Sequence, residues 1–194
     1  MFSPNEYDLK YLMDATGETV IINGNEKQAI ITNPRVDEFE QRYIHTLEPV
    51  SQGSVVSLYN EKYLVITESL TKRHGKFKAL MRHCNYVISR KNVIGREIIG
   101  YNDYGAPYYR DILGEPIQIP SIIDNKSFSV DNSTQLIVPE NEIIVTIQDT
   151  PLHRQKLKVN DIFAFEVNYK VRHVDYTKRG LMILTCDFTT SGTI

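Results

Sequence analysis

Gly53-Ser54-Val55-Val56-Ser57-Leu58-Tyr59-Asn60-Glu61-Lys62-Tyr63-Leu64-Val65-Ile66 reads as a polar turn, a short apolar strand, a polar step and a second strand opened by a tyrosine. Farther along, Asn160-Asp161-Ile162-Phe163-Ala164-Phe165-Glu166-Val167-Asn168-Tyr169-Lys170-Val171 repeats that order. Each unit continues through a basic turn holding a glycine into one more strand. Arg73-His74-Gly75 precedes residues 76–84, and Lys178-Arg179-Gly180 precedes residues 181–186. A residue free to take φ > 0 between two alternating strands is the local chemistry of a β-hairpin. A three-strand meander cannot bury its apolar face alone, so each unit implies a small barrel or sandwich.

Outward from these units the same pattern continues. Residues 7–15 place Leu9, Leu12 and Met13 at helical spacing, with Gly17 as the stop. Asn23-Gly24-Asn25 is a hairpin turn between strands over 19–23 and 28–32, closed by Asn33-Pro34. Phe39, Tyr43 and Leu47 belong to a strand or a loop before Pro49. Strands are expected at 63–66, 77–84, 86–89, 93–100, 117–123, 127–130, 135–138 and 143–148. Residues 101–116, rich in Gly, Pro, Asp and Tyr, form a long loop. The fold class is all-β: two small barrel- or sandwich-like subdomains of antiparallel meanders with a long Tyr-rich loop. The boundary falls at Lys91-Asn92, giving an N-terminal subdomain over 1–91, in the manner of an SH3-like barrel, and a C-terminal one over 92–194.

The chain has 194 residues, enough for two small cores, with 22 basic and 24 acidic side chains and a formal charge of −2. That balance speaks against a partner held by charge alone, although a local patch is compatible with it. Twelve tyrosines and no tryptophan suit half-buried strands and interfaces. Cys84 and Cys186 lie in apolar strand patterns and are expected as reduced core residues, not a disulfide. The N-terminus lacks a signal-peptide pattern, and no stretch approaches the roughly 20 apolar residues of a membrane span. A soluble protein made in the cytoplasm, with no membrane partner, is expected.

Catalytic constellations are not evident, and no enzyme activity, cofactor or metal is expected. Gly95 and Gly100 lack the spacing of a phosphate-binding loop, and Ser51-Gln52-Gly53 is not a nucleophile elbow. His83 and Cys84, as strand neighbours, point to opposite faces. His153, His173 and Asp175 want a further ligand to complete a tetrahedral set. Residues 124–133 resemble a calcium loop but lack its central glycine and closing glutamate, so two Asx turns are expected there. Glu140 and Glu142 fit a solvated edge better than a glycosidase pair.

Two interaction candidates remain. Tyr101, Tyr104, Tyr108, Tyr109 and Arg110 gather the residue types enriched at interface hot spots. The basic turns Lys72, Arg73 and Lys76, and Lys178 and Arg179, face either DNA or solvent.

The segments Gly53-Ser54-Val55-Val56, Tyr63-Leu64-Val65-Ile66 and Lys78-Ala79-Leu80-Met81-Arg82-His83-Cys84-Asn85-Tyr86 together resemble small structural proteins of tailed phages and prophages of Gram-positive bacteria. Leu157-Lys158-Val159-Asn160-Asp161-Ile162-Phe163, Tyr169-Lys170-Val171, Val174-Asp175-Tyr176 and Gly180-Leu181-Met182 are similar to the second half of the same proteins. Asn160 stands where a glycine is usual and Tyr63 where a tryptophan is common. The resemblance implies a virion component assembled in the host cytoplasm: a head–tail connector or neck protein forming a ring with copies of itself. Its neighbours would be portal, neck or tail proteins. The alternatives are a tail or baseplate accessory protein, or an OB- or SH3-like nucleic-acid-binding module. That module would need basic and aromatic side chains interleaved on one strand face, whereas Phe77 points away from Lys76 and Lys78.

Overall fold

The computed structural model describes residues 6–35, 39–73, 75–125 and 142–190. Helix α1 (Glu6–Thr16) leads into β1 (Glu18–Ile22), β2 (Asn25–Thr32), β3 (Gln41–Thr46), β4 (Val55–Leu58), β5 (Glu61–Val65), β6 (Leu70–Arg73) and β7 (Lys76–His83). The strand order is β3-β2-β1-β4-β5-β7-β6, and β3 also pairs β7. Six strands therefore close into a barrel, while β6 pairs the start of β7 opposite β3, on the edge that β5 takes farther along. The segment around Tyr43, open between strand and loop in the sequence, is the strand that closes it. It hides Ile44, His45 and Thr46 together, which blurs a two-residue alternation. Val20, Ile22, Ala29, Ile44, Val56, Leu58, Val65 and Met81 fill the barrel, each such burial contributing about 1.5–3 kcal/mol for a side chain the size of Val or Leu. Tyr63 is buried among them, and its hydroxyl donates to Glu40 Oε1 at 2.6 Å. Met13 of α1 is buried, and the helix ends as Gly17 N–H bonds Met13 O at 2.8 Å.

The second unit holds β8 (Tyr86–Arg90), β9 (Val93–Tyr101), β10 (Pro107–Leu113), β11 (Ile117–Asn125), β12 (Glu142–Gln148), α2 (Pro151–Lys156), β13 (Ile162–Phe165), β14 (Val167–Asp175) and β15 (Leu181–Phe188). Six of these strands form a sheet in the order β13-β14-β15-β12-β11-β8. It curls until its two edge strands meet without a backbone ladder. Side chains close the seam instead: Tyr86 Oη donates to Ala164 O at 3.1 Å, and Arg90 Nη1 to Ile162 O at 2.5 Å. Tyr86 also sets its ring edge-on against Phe165, with centroids 4.9 Å apart. The molecule is thus all-β, one closed barrel followed by one nearly closed barrel.

Three details depart from expectation. Strand β8 pairs β11 in the second sheet, so the barrels divide at Cys84-Asn85 and not at Lys91-Asn92. Strand-like residues continue through both β7 and β8, which conceals the change of sheet. Helix α2 was not anticipated; Thr150 caps it, accepting from His153 N at 3.1 Å, with Pro151 in its first turn. Half of the Tyr-rich segment is strand and not loop: Tyr101 ends β9, and Pro107–Leu113 is β10. The strands expected at 127–130 and 135–138 lie outside the described residues.

The two echoed segments each form an antiparallel three-strand set, β4-β5-β7 and β13-β14-β15. Their turns match bond for bond. Gly53 (φ 83°) donates to Val65 O at 2.8 Å and Val65 N–H returns to Ser54 O at 2.9 Å. Asn160 (φ 76°) donates to Val171 O at 2.8 Å and Val171 N–H returns to Asp161 O at 2.9 Å. Both positions are left-handed, which asparagine tolerates best after glycine.

These turns differ in one respect. Gly53 packs backbone to backbone against Gly180 of the β14–β15 turn, and a methyl group on either would fall on the other side's main chain. Beside that contact Leu64, Cys84, Ile122 and Leu181 make a small shared core between the barrels. Arg82 of β7 forks onto both oxygens of Asp124 in β11, one bond measuring 2.8 Å. Asn85 adds a side-chain rung, accepting from Ile123 N and donating to Ile123 O, both at 2.8 Å.

Gly53→Ala is expected to cost about 2–4 kcal/mol, from left-handed strain and the clash together. Asn160→Gly, in the matching turn, should stay within about 0.5 kcal/mol of wild type. Urea unfolding of both variants checks the contrast.

His45 gives a second test. It is buried, with Nε2 2.9 Å from Thr32 Oγ1. Burial, then the nearby Lys76 and Lys78, lower its pKa below the ordinary 6.5. The folded state therefore holds fewer protons than the unfolded one, and stability is lost as pH falls from 6.5 through the folded value. His45→Asn should flatten the decline in stability between pH 7 and 5, measured by urea unfolding at each pH.

Candidate functional site

Among the described residues strands β9 and β10 pair only with each other, as a two-stranded ribbon inserted between β8 and β11. Its root is set by Gly114 N–H to Asn92 O at 2.8 Å and by Lys156 Nζ to Lys91 O at 3.0 Å. Its tip is an Asx-stabilised turn. Asn102 Oδ1 accepts from Tyr104 N at 3.0 Å and from Ala106 N at 2.8 Å, and Gly105 takes φ 78°. Along the shaft, charged residues face one another across the strands: Arg96 Nε to Asp111 Oδ1 at 2.8 Å, and Arg110 Nε to Glu97 Oε1 at 2.6 Å. Small residues face large ones, Gly95 opposite Ile112 and Gly100 opposite Tyr108. Bulges interrupt the register between Tyr108 and Tyr109 and between Ile112 and Leu113.

No residue from 93 to 113 is buried. Ten large apolar side chains on this ribbon are each at least 41% exposed: Val93, Ile94, Ile98, Ile99, Tyr101, Tyr104, Tyr108, Tyr109, Ile112 and Leu113. Tyr104, at the tip, is 96% exposed. Alternation and register put Tyr101, Tyr109, Ile98, Val93 and Leu113 on one face, and Tyr108 and Ile112 on the other. Both faces are thus open, where a monomer rarely exposes a contiguous apolar patch beyond a few hundred Å². The four tyrosines singled out from sequence are all brought together here. Arg110 is a strut paired with Glu97 rather than a free cation. The isoleucines of β9 are the participants that sequence reasoning missed. The mirrored charges Arg96-Glu97 and Arg110-Asp111 about Asp103-Tyr104 were the signal for them.

The other candidates are dispersed. Lys178 and Arg179 are exposed over the glycine contact between the barrels, with Lys178 O accepting from Leu181 N at 3.0 Å. Lys72 and Arg73 end β6, and Lys76 starts β7. His83 Nε2 meets Glu61 Oε2 at 2.9 Å. His153 is buried against Gln148 O at 2.7 Å, while Asp175 accepts from Thr177 N at 2.7 Å, which holds its pKa below the usual carboxylate range. The structure does not gather His153, His173 and Asp175: no metal-binding group of three or more His, Cys, Asp or Glu occurs among the described residues. Of the calcium-like stretch, Asp124 serves Arg82, and residues 126–133 lie outside the described residues, as does Glu140. Glu142 meets Arg172 Nη1 at 3.1 Å. The hydroxyl of Tyr63 holds Glu40 below the usual carboxylate range. Cys84 and Cys186 are free and buried, and burial pushes both thiols up to about 12. Neither is a thiolate at neutral pH.

No curated protein and no solved structure matches the chain. Two family models do, the YomX N-terminal domain over residues 1–83 and the YomX C-terminal domain over residues 83–187. They meet at the end of β7, where the first barrel gives way to the second. With both domains present in order, the chain belongs to the YomX family, a phage- and prophage-associated family.

Proposed function

We propose that this phage protein is a virion structural component, and that its β9–β10 ribbon is the arm by which it assembles. The observation that carries this is the ribbon itself: ten large apolar side chains on a two-stranded element that neither barrel pairs with. An isolated hairpin is marginally stable in water, so a stable arm of this kind requires a covering surface. Tyrosines set on a rigid ribbon bury much area for little conformational entropy. The finer assignment is a head–tail connector or neck component. There the arm of one copy seats on the next copy around a closed ring, and neighbouring portal, neck or tail proteins stack on that ring. A ring needs a heterologous interface, arm on one side and receiving surface on the other, and a projecting ribbon supplies such asymmetry. The role is structural and not catalytic. The supporting feature is that Glu40, Glu61, Asp124, Asp149 and His153 each make a hydrogen bond or ion pair that holds strands or caps together.

The test replaces residues 93–113 in the phage genome by a short Gly-Ser link from Asn92 to Gly114, whose backbones already meet. The barrels should retain their β-sheet circular dichroism and unfold within about 0.5 kcal/mol of wild type, since no residue of the arm is itself buried. Incorporation of the protein into purified particles should be lost. Wild-type incorporation of the armless, folded protein would refute the proposal.

A further inference from the structure

Between Glu68 and Glu97 the chain carries eight Lys and Arg side chains and no Asp or Glu, in a molecule whose formal charge is −2. The run covers β6, β7, β8 and the start of β9. On β7, Ala79 and Met81 point into the barrel, so Lys76, Lys78, Leu80 and Arg82 point out. Across the ladder Lys78 pairs His45, and Leu80 pairs Tyr43, on the same outer face of β3. Among the described residues Asp124 is engaged with Arg82, Glu61 with His83, and Glu48 with Lys27. Neither Lys76 nor Lys78 has a carboxylate partner among the described residues.

We propose that this outer face of β7 and β3, centred on Lys76 and Lys78, binds the phosphate backbone of double-stranded DNA without regard to base sequence. Alternate residues on a strand stand about 6.6 Å apart, so the two ammoniums form a short cationic row and not a single point. Lys78 Nζ lies 3.5 Å from the centre of the Tyr43 ring. The ring holds this charge in place, so less side-chain freedom is lost when a phosphate meets it. The same geometry decides which nucleic acid fits. Arg82 covers one face of Phe39 at 3.7 Å as Lys78 covers one face of Tyr43, so each ring has lost a face as a stacking platform for unpaired bases. Backbone contact to a duplex needs no such platform. His45, on the same face, has its proton affinity lowered by burial and then by both lysines, in keeping with a positive potential there. Arg73 stands in register with Lys76 across the β6–β7 turn. This binding is independent of the arm, which lies in the other barrel.

Fluorescence anisotropy with a short labelled duplex of arbitrary sequence, at 50 and 200 mM salt, tests it on the full chain. Binding should weaken with salt. Lys76→Ala/Lys78→Ala should bind about tenfold more weakly at the lower salt, with the slope of log K against log salt reduced by about 2. Lys178→Ala/Arg179→Ala, on the other basic turn, should bind as wild type does. Circular dichroism confirms that each variant is folded. If Lys76→Ala/Lys78→Ala proves misfolded, Lys76→Gln/Lys78→Gln takes its place with the same expectation. Absence of duplex binding by wild type at 50 mM salt would overturn the proposal. So would unchanged affinity in the folded double variant, or tighter binding of an oligo(dT) single strand than of the duplex.

Discussion

The approach of Gly53 to Gly180 is the constraint on which the rest of the molecule depends. It brings the opening turn of one echoed meander onto the closing turn of the other, at a distance that no side chain permits. Around it the junction is completed by different kinds of contact: the buried patch of Leu64, Cys84, Ile122 and Leu181, the Arg82–Asp124 fork, and the Asn85 rung on β11. The Arg82-x-Cys84-Asn85 sequence is therefore the seam of a two-barrel body, and its residues are chosen for that seam more than for β7. A partly buried bidentate pair of this kind fixes geometry even where its net free energy is small.

The junction also sets the direction of the arm. Strand β8 follows Asn85 at once, pairs β11 through its whole length, and is tied across the seam by Tyr86 and Arg90. Both ends of the β9–β10 ribbon thus spring from strands that the two-barrel body already holds. The ribbon's own cohesion is weaker. Exposed ion pairs such as Arg96–Asp111 contribute about 0–1 kcal/mol each, and the apolar side chains gain little from one another while water covers them. Most of the free energy that such a surface can release is available only on association.

The sequence made the architecture legible where side chains alternate over a single buried face. Strands β12 and β15, the Asn23-Gly24 hairpin and both left-handed turns were open to that logic. It failed where one residue serves two masters. Strand β8 continues the pattern of β7 while belonging to another sheet, so the boundary was expected at Lys91-Asn92, a site that in fact roots the arm. Residues 101–116 passed for a loop because Gly105, Pro107, Gly114 and Pro116 punctuate them and Pro107–Leu113 shows no two-residue apolar alternation. The tyrosines still marked the segment as an interaction element, since residue type survives a misjudged register. The glycine contact was not legible, because nothing local distinguishes Gly53, which packs on backbone, from Asn160, which does not. The cationic face of β7 was hidden for a related reason: its aromatic partners, Tyr43 and Phe39, come from a different part of the chain.

The central claim is that the arm is buried against another protein in the assembled particle. A photo-crosslinking amino acid placed at Tyr104, the arm's tip, tests it most directly when particles are purified, irradiated and examined by mass spectrometry. The account predicts cross-links from position 104 to a second copy of the chain or to another virion protein. Cross-links confined to the chain's own barrels, or a protein absent from the particles, would contradict it.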